Sequence, residues 1–327
     1  MGASERTEGR TALTATPVHR TIDVHHHFDR SGFTTEGVPW AIERAVDELE
    51  RNGIATAIGY AGPIYESDPQ AARREARETN EWSTGLCHAY PGRFGLFASL
   101  PMNDVAASLD EIAYAFDVLG ADGIGLATSY GDAWLGDDAF FPIFEELNRR
   151  HAVVYVHPMT AACCTKDTLT YLRGTISAPW IEFPTNTART ILNLWSTGTT
   201  RRLPDLKWIF SHGGGTMPSI LGRIAGFTGW TTVGPQRLAG VVPDGVYAEF
   251  AKLYFECAQA YAPETIDLLR KLVPPTHLLF GSDYSYFPIA HAVEQFARLD
   301  LPPDVRQLMS GANAATLLPR WRPKGTP

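Results

Sequence analysis

Eight short apolar runs, each followed by a segment of helical periodicity, constrain the fold of this chain more than any other feature. They are TIDVHHHF (21–28), ATAIGYAG (55–62), FGLFASLP (94–101), GIGLATSYG (123–131), VVYVHPM (153–159), WIFSHGGG (208–215), LYFECAQA (253–260) and HLLFGSDY (277–284). Each is short and bounded by Gly, Pro or polar residues, as strands buried on both faces are. The segments between them have helical ends. Asp68 and Pro69 supply an N-cap and a first-turn proline to AARREARETNEW. Val105, Leu109, Ile112, Ala113, Phe116 and Leu119 share one helical face, which Gly120 terminates. Pro184 is expected to open a helix carrying Ile191, Leu192 and Trp195, with Gly198 ending it. Eight strand–helix alternations predict a (β/α)8 TIM barrel rather than an open sheet.

Two connections exceed what such a barrel requires: residues 160–183 after the fifth run, and roughly 228–250 before the seventh. The first is expected to cover the active face. The second is expected on the outer helical layer, where a neighbouring subunit would meet it. Residues 1–18 read as a disordered polar tail and 19–327 as a single catalytic barrel domain.

Charge and cysteine content remove several function classes. A net charge of −8 offers no basic stripe to displace counterions from phosphates, so nucleic acid is not an expected partner. No apolar run approaches the ~18 residues of a membrane span, and MGASERTEGRTALTATPVHR has no apolar core of a secretory signal. Neither membrane nor export is expected. Cys87, Cys163, Cys164 and Cys257 form no CxxC pair, which argues against a zinc knuckle or a thiol redox pair. Reduced thiols in the cytoplasm are the expectation.

The histidines carry the chemistry. Of the ten, His25, His26, His27, His157 and His212 fall at the C-terminal ends of predicted strands, and Asp283 ends the last one. Those ends converge on one face of a barrel, where catalytic groups sit. Alternation along a strand puts His25 and His27 on one side and His26 on the other. An HxH pair, a third histidine, a fourth and an aspartate, in that order, predict a site for a divalent ion. Neutral imidazoles and a carboxylate suit Zn²⁺, with Mn²⁺ the alternative. Asp23 either supports the ligands or caps the strand. The fourth run carries neither the lysine nor the glutamate that bridges two metals, so one ion is expected. Phe28, Tyr130, Trp134, Trp180, Tyr284, Tyr286 and Phe287 lie in or near the expected loops and would suit a flat ligand, although such residues more often pack the core.

The set DVHHHF, YVHP, FSHGGGTMPSILGRI and LLFGSDYS resembles the amidohydrolase-2 branch of the amidohydrolase superfamily, which includes the aminocarboxymuconate-semialdehyde decarboxylases. YAGP, RFGLFASLP and FPTNTARTILNLWSTGTTRRLPDLKWIFSHGGG are similar to the 6-methylsalicylate and orsellinate decarboxylases within it. The resemblance implies one metal held by His25, His27, His157 and Asp283, with His212 as an acid/base beside it rather than a ligand. It also implies a homodimer in which Arg223 holds the substrate carboxylate across the subunit boundary. A second substrate-binding arginine has no clear counterpart, Arg44 and Arg51 both being out of register, which favours a phenolic acid over an aminocarboxymuconate. Glu256 stands where relatives often carry a small residue or Asp.

These expectations combine into metal-dependent, non-oxidative decarboxylation of a small salicylate-type acid, with Asp283 and His212 catalytic and no organic cofactor. Two other readings compete. One is hydrolysis of a lactone, amide or ester by the same metal and His212. The other is a non-catalytic metal-stabilised scaffold, which is disfavoured because structural sites close their coordination.

Overall fold

The computed structural model describes residues 20–30, 38–162, 178–228 and 240–322. The expected tail and Cys163 and Cys164 lie outside the described residues, as does most of the long connection after the fifth run. Eight parallel strands follow one another around a barrel: β1 (Thr21–His27), β2 (Ile54–Tyr60), β3 (Phe94–Ala98), β4 (Gly123–Ala127), β7 (Val153–His157), β8 (Lys207–Phe210), β9 (Tyr254–Glu256) and β10 (Leu278–Leu279). The fourth run divides, since β5 (Ser129–Tyr130) and β6 (Ala133–Trp134) form a separate small antiparallel hairpin above β4. The barrel closes between its last and first strands through Val24 N to Phe280 O and Asp283 N to His25 O, at 3.1 and 2.9 Å.

Two apolar layers hold this arrangement. Val154, Val156, Phe210 and Phe255 face outward against the helices, meeting Ile191, Leu194 and Trp195 of α5 (Ala178–Ser196). Ile22, Val24, Ile58, Tyr60, Phe97, Tyr155, Ile209 and Leu279 fill the interior, and Ala314, Ala315 and Leu318 plug it from the N-terminal end. The plug fits because Gly311 has no side chain; a Cβ there would lie 2.1 Å from the Arg20 carbonyl oxygen. With one end filled, the open end is the C-terminal face.

Helix ends follow the sequence with one exception. Asp68 Oδ1 accepts from Ala71 N at 2.8 Å, capping α2 (Pro69–Ala89) as expected. Pro184, however, does not open its helix: α5 begins at Ala178 and carries the proline inside. A proline within a helix removes one backbone donor, and the Pro184 carbonyl is taken up from outside the helix by Thr216 N at 3.1 Å. The connection before β9 includes a helix, Val246–Phe250, whose Val246 and Phe250 pack into the outer layer.

Candidate metal centre and active site

The first strand contains the local irregularity that makes the site. From Asp23 to His26, β1 advances three residues while β2 advances two, from Ala57 to Gly59, so β1 carries a bulge. Ile22 and Val24 face the interior, and strict alternation from them would turn His26 inward. The extra residue reverses the parity, as bulges beside active sites do. His25 and His27 therefore face the barrel axis, while the His26 ring stacks on Tyr284 at 4.9 Å among Phe28 and Phe94. Asp23 stabilises the bulge: Oδ1 accepts from His25 N at 3.1 Å and Ser282 N at 2.9 Å, and Oδ2 accepts from Ser282 Oγ at 2.6 Å. It thus joins the first strand to the segment that presents Asp283.

His25, His27, His157 and Asp283 converge, one ligand atom from each lying within 4.8 Å of the others, and all four are buried. The nitrogens His25 Nε2 and His27 Nε2 are 3.1 Å apart, and Asp283 Oδ1 lies 3.2 and 3.1 Å from them. Donors on a tetrahedral ion at about 2.1 Å would stand about 3.4 Å apart, close to these spacings. The residues present therefore fit a divalent ion. On β4 the inward positions are Gly123, Gly125 and Ala127, and the Tyr60 ring occupies the space over Gly125. No second-metal ligand comes from that strand.

Electrostatics agree with a cation site. Burial works against charge on His25, but Glu256 and Asp283 outweigh it and raise its pKa to about 10. Burial lowers the pKa of His27 and, with the neighbouring histidines, holds His157 well below the ordinary value. Asp283 stays ionised despite burial because His25 and His27 surround it. Two carboxylates thus compensate several imidazoles in a closed space.

His212 reaches the same space by a different route. Counting from inward-facing Ile209, its parity on β8 is outward, but it lies past the strand end with φ of +54°. That left-handed turn, which non-glycine residues seldom adopt, brings its ring centroid to 5.0 Å from His25 and 5.5 Å from His157. Its Nδ1 lies 2.9 Å from Ala258 O, which fixes the proton on Nδ1 and leaves Nε2 as an acceptor. Asp283 is likewise left-handed, with φ of +60°. Such conformations persist where surrounding structure imposes them, and they gather at functional sites.

Other expected residues divide. Arg223 is exposed on α7 (Met217–Thr228), its guanidinium 5.0 Å from the Phe227 ring. Arg51 forms surface ion pairs with Asp47 and Glu48. Of the aromatic residues, Tyr286 stands beside His27 at 4.9 Å, whereas Phe28 and Tyr284 are core. Phe183, 6.1 Å from His157, was not anticipated because it sits inside a helix expected to begin after it. Glu256 is fully buried with Oε1 2.7 Å from His25 Nδ1.

Comparison with known proteins places this geometry among related chains. The family model Amidohydro_2, described as amidohydrolase, matches residues 22–320. The 6-methylsalicylic acid decarboxylase acuB of Aspergillus aculeatus is 35% identical, over 92% of this chain and 96% of its own. Decarboxylase yanB of Aspergillus niger is 33% identical, over 92% and 88%. Among solved structures, a dihydroxybenzoic acid decarboxylase from Polaromonas sp. JS666, with bound manganese and the inhibitor 2-nitroresorcinol, superposes with a TM-score of 0.80. That match has 20% identity and covers 94% of this chain and 98% of that one.

Proposed function

The chain belongs to the Amidohydro_2 family of amidohydrolases, and we propose that within it the protein is a metal-dependent, non-oxidative decarboxylase of a small salicylate-type acid. The observation that carries this reading is the buried convergence of His25, His27, His157 and Asp283 in a chain 35% identical to a 6-methylsalicylic acid decarboxylase. These four residues hold one divalent ion, Zn²⁺ by the preference of three imidazoles and a carboxylate, with Mn²⁺ the alternative. When bound, the ion would supply a Lewis acid that orients and polarises the substrate.

The protein's own groups move the proton. Decarboxylation needs the ring carbon that bears the carboxylate to be protonated first. The C–C bond then breaks, CO₂ leaves, and its electron pair restores the aromatic ring. His212 Nε2, an acceptor because Nδ1 donates to Ala258 O, takes the hydrogen bond of the ortho hydroxyl. His212 takes that proton and relays it to the ionised Asp283, which delivers it to carbon, and once CO₂ has left a proton from solvent restores the hydroxyl. Tyr286, beside His27, and Phe183, beside His157, wall the opening with rings suited to a flat substrate.

The test is product mass. Protein loaded with Zn²⁺ or Mn²⁺ is incubated with 6-methylsalicylate, orsellinate and γ-resorcylate, and loss of CO₂ is expected to vanish on chelation and return on readdition of metal. Gain of water by a lactone or amide panel, with no CO₂ from any acid, would instead establish the hydrolase reading.

Residues 19–327 act as one catalytic domain, and the working form is a homodimer in which exposed Arg223 meets the carboxylate of a substrate held by the other subunit. Arg223→Ala is expected to raise KM about tenfold with kcat little changed, as loss of uniform binding does. An unchanged KM in a verified dimer would remove that role. No helix among the described residues is long and apolar enough to cross a membrane. Unbridged Cys87 and Cys257 suit a cytoplasmic setting.

A further inference from the structure

One carboxylate, on the neighbouring strand, touches both histidine functions. Glu256 ends β9 and faces the barrel interior with no exposure. Its Oε1 lies 2.7 Å from His25 Nδ1 and accepts from the backbone N–H of His212, also at 2.7 Å. Its Oε2 accepts from Ala258 N at 2.8 Å. The carbonyl of that same Ala258 faces His212 Nδ1 at 2.9 Å. The carboxylate therefore meets three N–H groups: one from a ring and two from the backbone.

We infer that Glu256 is a positioning residue that sets the tautomers of His25 and His212 together, directly at the first and through the Ala258 turn at the second. A proton held on His25 Nδ1 leaves Nε2 free to face His27 and Asp283. A proton held on His212 Nδ1 leaves its Nε2 as the acceptor for substrate. A ring nitrogen that donates to a carboxylate is oriented and made more basic at its other nitrogen. Only an acceptor without hydrogens satisfies three donors. Gln in its place would turn an NH₂ toward at least one of them, leaving a buried N–H unsatisfied.

The fold makes room for this group. Gly281 lies on the adjacent segment, where a Cβ would stand 2.0 Å from Glu256 Oε2 and 2.8 Å from His25 Cβ. Tyr261 Oη brackets that glycine, lying 3.0 Å from both its N and its O. Space beside the last strand is thus reserved for a carboxylate at position 256.

This assignment rests on the metal-centre reading above, and the experiment separates the two. Co²⁺ titrations followed by the visible spectrum measure affinity in wild type and Glu256→Gln. The variant is expected to bind about 10–100-fold more weakly, the usual effect of losing a carboxylate behind a metal-binding histidine. A residue that only stabilised the barrel top would lower the unfolding midpoint without changing the affinity of the folded protein. Equal affinity in Glu256→Gln overturns the proposal. Should that variant not fold, histidine-labelled wild type decides by ¹⁵N NMR. The zinc-loaded protein is expected to carry Nδ1 protons on both His25 and His212, and an Nε2 proton on either overturns the assignment. Wild type that takes up no metal would fail the metal-centre reading instead; the His212 tautomer in the metal-free protein would still decide the role of Glu256.

Discussion

Asp283→Asn is expected to reduce decarboxylation about 10³-fold or more at saturating metal, because in the proposed mechanism it removes a group that both holds the ion and carries the proton. The substitution is chosen for its small structural cost. Asp283 sits at φ of +60°, and Asn tolerates the left-handed region as readily as Asp does. Its amide oxygen remains available near His25 and His27, which lie 3.2 and 3.1 Å from Oδ1 in the native chain. What disappears is the negative charge and the capacity to accept and return a proton. Metal content measured beside turnover separates the two losses. If metal binds at full stoichiometry and turnover is still lost, proton transfer is the missing function. If turnover returns as metal is raised, Asp283 serves only as a ligand. A variant with full metal and more than about a tenth of native kcat would contradict its assignment as the acid, since a positioned general acid contributes about 10²–10⁴-fold.

How far the site is legible in the sequence depends on which physical constraint each residue answers to. The candidate site is legible because parallel strands bring residues far apart in sequence to one barrel face, and HxH, His, His and Asp each fall at a strand end. The bulge in β1 is not. Ile22, Val24 and His26 follow an ordinary alternation, and only the pairing with β2 reveals that one residue is extra. The grouping of His25 with His27 against His26 is nevertheless the observed one, since His25 and His27 still differ by two. Asp23 reads ambiguously because its partners, apart from its own strand, are on Ser282. Glu256 reads as unexplained for the same reason: its side chain meets His25 and His212, which no local pattern pairs with it. Pro184 misleads because a proline at a helix start and one whose carbonyl is turned to an outside donor look alike in sequence.

That proline also explains the second large effect. Gly215→Ala is expected to destabilise the protein by about 3 kcal/mol or more and to disturb catalysis, although residue 215 carries no reactive side chain. Gly215 has φ of +60° and ψ of −129°, a conformation that strains any L side chain. An added Cβ would lie 2.2 Å from the Pro184 carbonyl oxygen and 2.8 Å from its carbonyl carbon. Neither atom is a flexible side-chain end; both belong to the backbone of α5. The same carbonyl accepts from Thr216 N at 3.1 Å, so the loop after β8 is docked on that helix through Pro184. Pushing them apart shifts the turn containing His212, whose own left-handed backbone leaves little freedom to compensate. The unfolding midpoint of the metal-free protein should fall by about 5 °C or more, and kcat should fall with it while metal stoichiometry is kept, because the four proposed ligands stand on other strands. Gly226→Ala is the control, since a Cβ there meets nothing within 4 Å. A Gly215→Ala protein with the midpoint and kcat of that control would show that the loop and helix do not hold His212 in place.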